Sequence, residues 1–276
     1  MIRLLAFAKI NLTLSVLRRR PDGYHEIDSV VQTIDLADRV TVSRCDDGIR
    51  VENDLVGLQG RDVAEVAAER ILQAKRAAGG LAIRIEKRIP PGAGLGGGSS
   101  DAAAVLSAAN RLIPPWLAPG EMVRLASEVG SDVPLFLEGG LLRMTGRGEV
   151  LQPTAEPAPS WFALLVPPIE CNTGEVYRRF AELRPEGEAR GTEGGNDLLD
   201  AALSAYPPLA RYHEAIEELG AERAGMSGSG SAFFAGFSNV TCAESAAESL
   251  RERLPEAKVL VCSATGEGHR ITEGDA

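Results

Sequence analysis

The sequence has 276 residues, 44% of them apolar and 25% charged, with a net charge of −10. Those proportions exclude a disordered or fibrous chain and leave length for one large domain or two modest ones, with roughly three quarters of the extended surface open to burial. So acidic a chain is a poor partner for a phosphate backbone, and nucleic acid is not expected as a ligand.

In chain order, Ile10, Leu12, Leu14 and Val16 alternate with Lys9, Asn11, Thr13 and Ser15, the period of a strand. Lys9 and Asn11 then share one face, which periodicity alone reads as the solvated side of an edge strand. Arg18 to Tyr24 reads as a turn around Pro21-Asp22-Gly23. Strands are expected at 29–36 and 39–44, with Asp46-Asp47-Gly48 as a hairpin turn into 49–52. Asp62 can cap a helix running to about Ala78, with Val63, Val66, Ala67, Ile71 and Ala74 as its stripe and Gly79-Gly80 as its stop. A strand over 81–89 follows, in which Lys87 breaks the alternation, and Pro90-Pro91 ends it.

Next come Gly92-Ala93-Gly94-Leu95-Gly96-Gly97-Gly98-Ser99-Ser100 and an Ala-rich helix over 102–112, then a helix over 121–129. The Pro- and Ala-rich stretch 154–160 is the expected domain boundary, dividing the chain into 1–155 and 156–276. Beyond it a strand is expected at 162–166, helices near 174–183, 197–205 and 209–219, a solvated loop over 184–193, a strand at 231–237, a helix at 242–254 and a strand at 258–262. The halves read as mixed α/β, then α+β.

The four cysteines (45, 171, 242 and 262) form no Cys-x-x-Cys clip, and with three histidines no metal-ligand cluster arises in sequence. Reduced thiols in a cytoplasmic protein are expected. No apolar run approaches the ~18 residues of a membrane span. The first 16 residues imitate an export signal only faintly, because Lys9 and Asn11 interrupt the apolar region.

The glycine segment carries the most chemistry. Glycine permits positive φ and close backbone approach, and successive N–H groups in such a loop form an anion-binding nest. A helix start directly behind it adds free N–H groups and a positive dipole end. Gly92-x-Gly94-x-x-Gly97 formally matches a dinucleotide fingerprint. However, two prolines separate it from its strand, and no second strand ending in an acidic residue follows at the usual spacing. A Walker loop would need Gly-Lys-Ser/Thr, and the protein-kinase triads are absent.

Pro91 to Ser100 resembles the phosphate loop of the GHMP small-molecule kinases. Ala8-Lys9-Ile10-Asn11-Leu12 and Gly225-Met226-Ser227-Gly228-Ser229-Gly230-Ser231 resemble further segments of that family, in collinear order. Arg20-Pro21-Asp22-Gly23-Tyr24-His25-Glu26 and Gly130-Ser131-Asp132-Val133-Pro134 resemble the branch whose acceptor is a cytidine-linked sugar alcohol. The resemblance implies a two-domain fold. An N-terminal α/β domain with a left-handed βαβ crossover packs on a ferredoxin-like α+β domain, and the active site lies between them.

It further implies ATP as co-substrate with Mg²⁺, and as acceptor the tertiary hydroxyl of a methylerythritol unit joined through a diphosphate to cytidine. Pro91, Gly92, Ala93, Gly94, Leu95, Gly96, Gly97, Gly98, Ser99 and Ser100 would then hold ATP. Asp132, which on its own reads as a helix N-cap, would be the base, and Lys9 its partner cation. Asn11 would bond the acceptor end. Tyr24 and His25 would read the cytosine, with Tyr177 as the opposite jaw, although on its own Tyr177 reads equally as a packing partner of Phe180. Gly228-Ser229-Gly230 would be a turn near the phosphates, and no secure protein ligand for the metal emerges. The rival readings are a homoserine- or mevalonate-type kinase, for which Tyr24-His25 has no evident use, and a dinucleotide-dependent oxidoreductase.

Overall fold

A computed structural model describes residues 1–54, 61–184 and 195–274. The charged stretch expected as a loop over 184–193 therefore lies, after Arg184, outside the described residues.

The first sheet has eight strands. Strand β1 (Ile2–Asn11) is central, not an edge: it pairs antiparallel with β3 (His25–Cys45) on one side and β12 (His269–Gly274) on the other. The solvated-edge expectation for Lys9 and Asn11 thus fails, and both side chains are buried. The alternation itself holds. Ala8, Ile10 and Leu12 face an apolar cluster with Phe162, Leu164 and Phe234 of the second sheet, so the opposite side is left to Lys9 and Asn11.

Strand β2 (Ser15–Arg19) pairs with the start of β3. The two strands expected at 29–36 and 39–44 are one continuous β3, whose register against β1 shifts between Phe7 and Ala8. A bulge absorbs the extra residues and re-aims Asp38 inward.

The turn at 46–48 does not make a hairpin. Strand β4 (Ile49–Asn53) pairs in parallel with β5 (Gly80–Glu86), which inserts between β3 and β4. Helix α1 (Val63–Lys75) is the crossover between them. Asp62 caps it as expected, accepting from the Ala64 N–H at 2.9 Å. It ends earlier than expected, at Arg76, whose φ of 47° is left-handed. Its buried stripe is Ala64, Ala67, Ala68 and Ile71, and Ala74 is exposed.

Helix α2 (Gly97–Leu112) starts five residues before the expected Ala102, because the last glycines and both serines already adopt helical geometry. Its alanines let it sink into the core between α1 and the first sheet. Helices α3 (Pro119–Val129) and α4 (Val133–Glu138) follow. The hairpin β6 (Leu141–Gly146)–β7 (Val150–Pro153) then docks on the first half of β3.

The second sheet has the order β11-β8-β10-β9. Its strands are β8 (Trp161–Val166), β9 (Arg223–Met226), β10 (Phe233–Phe237) and β11 (Lys258–Ser263), all antiparallel. Helices α5 (Thr173–Leu183), α6 (Leu199–Ala205) and α7 (Ala210–Glu217) precede β9, and α8 (Val240–Arg253) joins β10 to β11. This is the ferredoxin-like arrangement. Strand β12 then returns to the first sheet, so residues 269–274 cross the expected division at 155/156.

Candidate active site

The glycine segment runs between the second-sheet side and the start of α2. Four consecutive carbonyls are tied to four different places. Gly92 O accepts from Cys171 N at 3.3 Å, Ala93 O from Ala232 N at 3.1 Å, and Leu95 O from Lys9 N at 3.0 Å. Gly94 O accepts from the Ser227 hydroxyl at 2.9 Å. By contrast, the N–H groups of Gly92 to Ser99 donate to nothing among the described residues. With every carbonyl turned to the scaffold, the donors are left for an anion. Gly92, Gly94 and Gly96 all adopt positive φ, which is what alternates the peptide planes. At Gly94 space is also decisive, since an added Cβ would lie 2.1 Å from Ser227 O.

Pro91 to Gly98 line a cleft of about 280 Å³ together with Asn53, Asp62, Lys87 and Asp101. Ala93 and Leu95 contribute backbone only, because their side chains are buried. Ser99 is half-exposed in the first turn of α2. Ser100 lies on the inner face of α2, with its hydroxyl buried and unpartnered and its N–H spent on Gly96 O at 2.9 Å.

Lys9 leaves β1 directly beneath Gly96, where an added Cβ would meet its Cγ at 3.1 Å. Its Nζ donates to Asn11 Oδ1 and lies 3.9 Å from Asp132 Oδ2. Asn11 in turn donates to the Ser29 hydroxyl at 2.8 Å, and its N–H is received by Ser227 Oγ at 3.1 Å. Burial lowers the Lys9 ammonium from its ordinary range, and the Asp132 carboxylate opposes that shift. Asp132 precedes α4 but caps nothing, its side chain accepting no helix N–H. The N-cap reading is therefore corrected. The carboxylate is about one third exposed, with the Lys9 ammonium as its ion-pair partner.

A second cleft, of about 690 Å³, is lined by Arg19, Tyr24, His25, Arg147, Tyr177 and Arg178, among others. His25 stacks on Tyr177, with ring centroids 5.1 Å apart and planes inclined by 25°, and meets Phe180 edge-on. The Tyr24 ring, half-exposed, instead carries the Arg147 guanidinium at 5.2 Å. Burial, followed by the Arg19 charge, lowers the His25 imidazole, which keeps it neutral near pH 7 with one donor and one acceptor nitrogen. Burial and then the Asp132 charge push the Tyr177 hydroxyl up to about 12, which ties this cleft to the Lys9–Asp132 pair.

Sequence reasoning missed one buried charge cluster. Lys87 Nζ donates to Asp38, and to Asp101 Oδ2 at 2.6 Å. Asp38 also accepts the N–H groups of Arg88 (2.5 Å) and Ile89 (2.8 Å). Burial, countered by Lys87 and reinforced by Asp38, raises Asp101 to about 8, while its two carboxylates hold Lys87 above the ordinary lysine range. The signal was present in the break of alternation at Lys87, but its partners are 49 and 14 residues away. Among the described residues no cluster of three His, Cys, Asp or Glu side chains could hold a metal, and no helix is long and apolar enough to cross a membrane.

Two conserved-domain descriptions match this chain: the N-terminal domain of GHMP kinases over residues 61–140 and their C-terminal domain over 179–256. The chain belongs to the GHMP kinase family. It is 40% identical to a 4-diphosphocytidyl-2-C-methyl-D-erythritol kinase of Geobacillus thermodenitrificans, over 82% of this chain and 85% of that one. A protein of the same description from Moorella thermoacetica is 39% identical over 91% of this chain and 95% of its own. A crystal structure of 4-(cytidine 5'-diphospho)-2C-methyl-D-erythritol kinase superposes with a TM-score of 0.78 at 37% identity, covering 96% of this chain and 99% of that one.

Proposed function

We propose that this chain transfers the γ-phosphoryl group of ATP to the tertiary hydroxyl of 4-diphosphocytidyl-2-C-methyl-D-erythritol, a step in isoprenoid precursor synthesis. One observation carries the reading. A buried ammonium and a part-exposed carboxylate, Lys9 and Asp132, stand between a loop of free N–H donors and an aromatic cleft suited to a pyrimidine.

In this reading the N–H groups of Gly92 to Ser99 and the start of α2 take the triphosphate. Asp132 accepts the proton of the acceptor hydroxyl as its oxygen forms a bond to the γ-phosphorus and the bond to the ADP oxygen breaks. The Lys9 ammonium, held toward Asn11 and Asp132, offsets charge on the moving phosphoryl group. Asn11 orients the acceptor end. Neutral His25 presents a donor and an acceptor to the cytosine edge, Tyr177 supports that ring from behind, and Tyr24 offers its face at the mouth. A Mg²⁺ ion bound with the triphosphate would be held chiefly by phosphate oxygens and water, with the Asp132 carboxylate and the Ser99 hydroxyl as donors on this chain, and would neutralise β- and γ-phosphate charge.

The test is a coupled assay with Mg²⁺-ATP across the cytidylyl acceptor, homoserine and mevalonate. Turnover of the first alone is expected. Preferred turnover of either of the others would overturn the acceptor assignment, and ATP-independent binding of a nicotinamide nucleotide would overturn the class.

A further inference from the structure

With the acceptor alcohol at Asp132 and the cytosine at His25, the diphosphate that joins them must cross the space between; this inference rests on the function proposed above. An acidic chain has to receive at least two further negative charges there. Arg147, in the turn between β6 and β7, stands at that place. Its neighbour Gly148 is buried, and a Cβ added there would come within 3.4 Å of Asp132 Oδ1. The Arg147 guanidinium reaches the other way, over the Tyr24 ring at 5.2 Å. The turn that carries Arg147 therefore reaches from the base to the nucleobase end.

Its charge is also available. Arg178, on the same cleft, is committed to Glu175 and Glu182, and Arg143 on β6 is committed to Asp28. Arg19 is exposed. The guanidinium of Arg147 makes one hydrogen bond, from Nη2 to Ser127 O at 2.9 Å; the exposed Asp22 feels its charge but is bonded to Arg20, and no carboxylate among the described residues forms an ion pair with Arg147. Glu149 takes its backbone N–H at 2.7 Å instead. The ring of Tyr24 beneath and the carbonyl of Ser127 behind fix the plane of the fork, so little freedom remains to be lost when a phosphate docks.

We propose that Arg147 binds the diphosphate bridge of the cytidylyl substrate. The remaining N–H groups of its fork match two phosphate oxygens, one from each phosphorus or both from one.

Calorimetric titration with cytidine, CMP and CDP tests it in the wild type, Arg147→Met and Arg147→Lys. In the wild type CDP should bind about tenfold or more tighter than cytidine, the scale of charge-assisted hydrogen bonds. Arg147→Met should erase that gain while leaving cytidine within about twofold, and Arg147→Lys should keep part of it. In turnover, KM for the cytidylyl substrate should rise with KM for ATP and kcat near wild type. Equal weakening of cytidine and CDP would assign Arg147 to the nucleobase through Tyr24 and overturn the proposal, as would unchanged CDP binding in Arg147→Met. A wild type that binds neither cytidine nor CDP would sink the acceptor assignment and this proposal with it.

Discussion

Two of the chain's four lysines are buried, and they are buried differently. Lys87 is saturated by Asp38 and Asp101, which hold it above the ordinary lysine range. Lys9 has one carboxylate at 3.9 Å and an amide oxygen, and burial lowers it. A lysine clamped by two acids is a fastening: its field is cancelled locally and its donors are used. A lysine with one distant, part-exposed partner keeps charge and donors free for an incoming phosphate. Both touch the glycine loop, Lys9 under Gly96 and Lys87 at Gly97, so what they do there follows from their partners rather than from their position.

The comparison breaks most visibly at Asp132. Asp132→Asn should cut kcat by about 10²–10⁴, the usual worth of a positioned base, with nucleotide affinity nearly intact; full turnover in that variant would remove the base assignment. At the next level, Lys9→Met and Lys87→Met should separate by readout. The first should lower kcat by about 10²–10³ with a nearly wild-type Tm. The second should cost roughly 3–5 kcal/mol in denaturant unfolding, because the buried Asp38 carboxylate loses its cation and Asp101 loses its hydrogen-bond donor. Equal losses of stability in both would erase the distinction drawn here.

The smallest effect sharpens the Lys87 side. Asp101 has a folded-state value near 8, above that of an unfolded aspartate. Between roughly pH 4 and 8 the folded chain alone keeps that proton, so this carboxyl's contribution to stability falls as pH rises across the window. Asp101→Asn should therefore flatten the decline of Tm with rising pH over that range. A slope identical to wild type would show that Asp101 is ionised in the folded protein.

How much of this was legible in the sequence depended on the range of the forces involved. The glycine loop was legible because its conformation is set locally, by residues that tolerate positive φ and by the helix behind them. The shared face of Lys9 and Asn11 was legible from period two, but its burial was not, because that requires β12 and β3 on both flanks. Strand β12 itself escaped notice because its side chains are largely exposed and Ile271 is its one large apolar residue, so it carries no apolar alternation. Strand β4 read as a hairpin partner of β3, and only the parallel crossover through α1 lets β5 come between them. The burial of Ser100 was not legible, because the loop's composition runs on unbroken into α2 and only the helix start sets which way that residue faces. Arg147 carried no signal at all, since its contacts, the Tyr24 ring and the Ser127 carbonyl, come from two separate segments far from it in the chain.

The close approach of Gly94 to Ser227 has a consequence for how such proteins can diverge. The curve of the nucleotide loop is moulded by a loop from the second sheet's side of the molecule, 133 residues further along, through one hydroxyl and one carbonyl with no room for a methyl group between them. The two halves are in that sense cast from one mould. A chimera that joins the first half of this chain to the second half of a distant relative inherits a working phosphate grip only if the donor also brings a hydroxyl at that one spot.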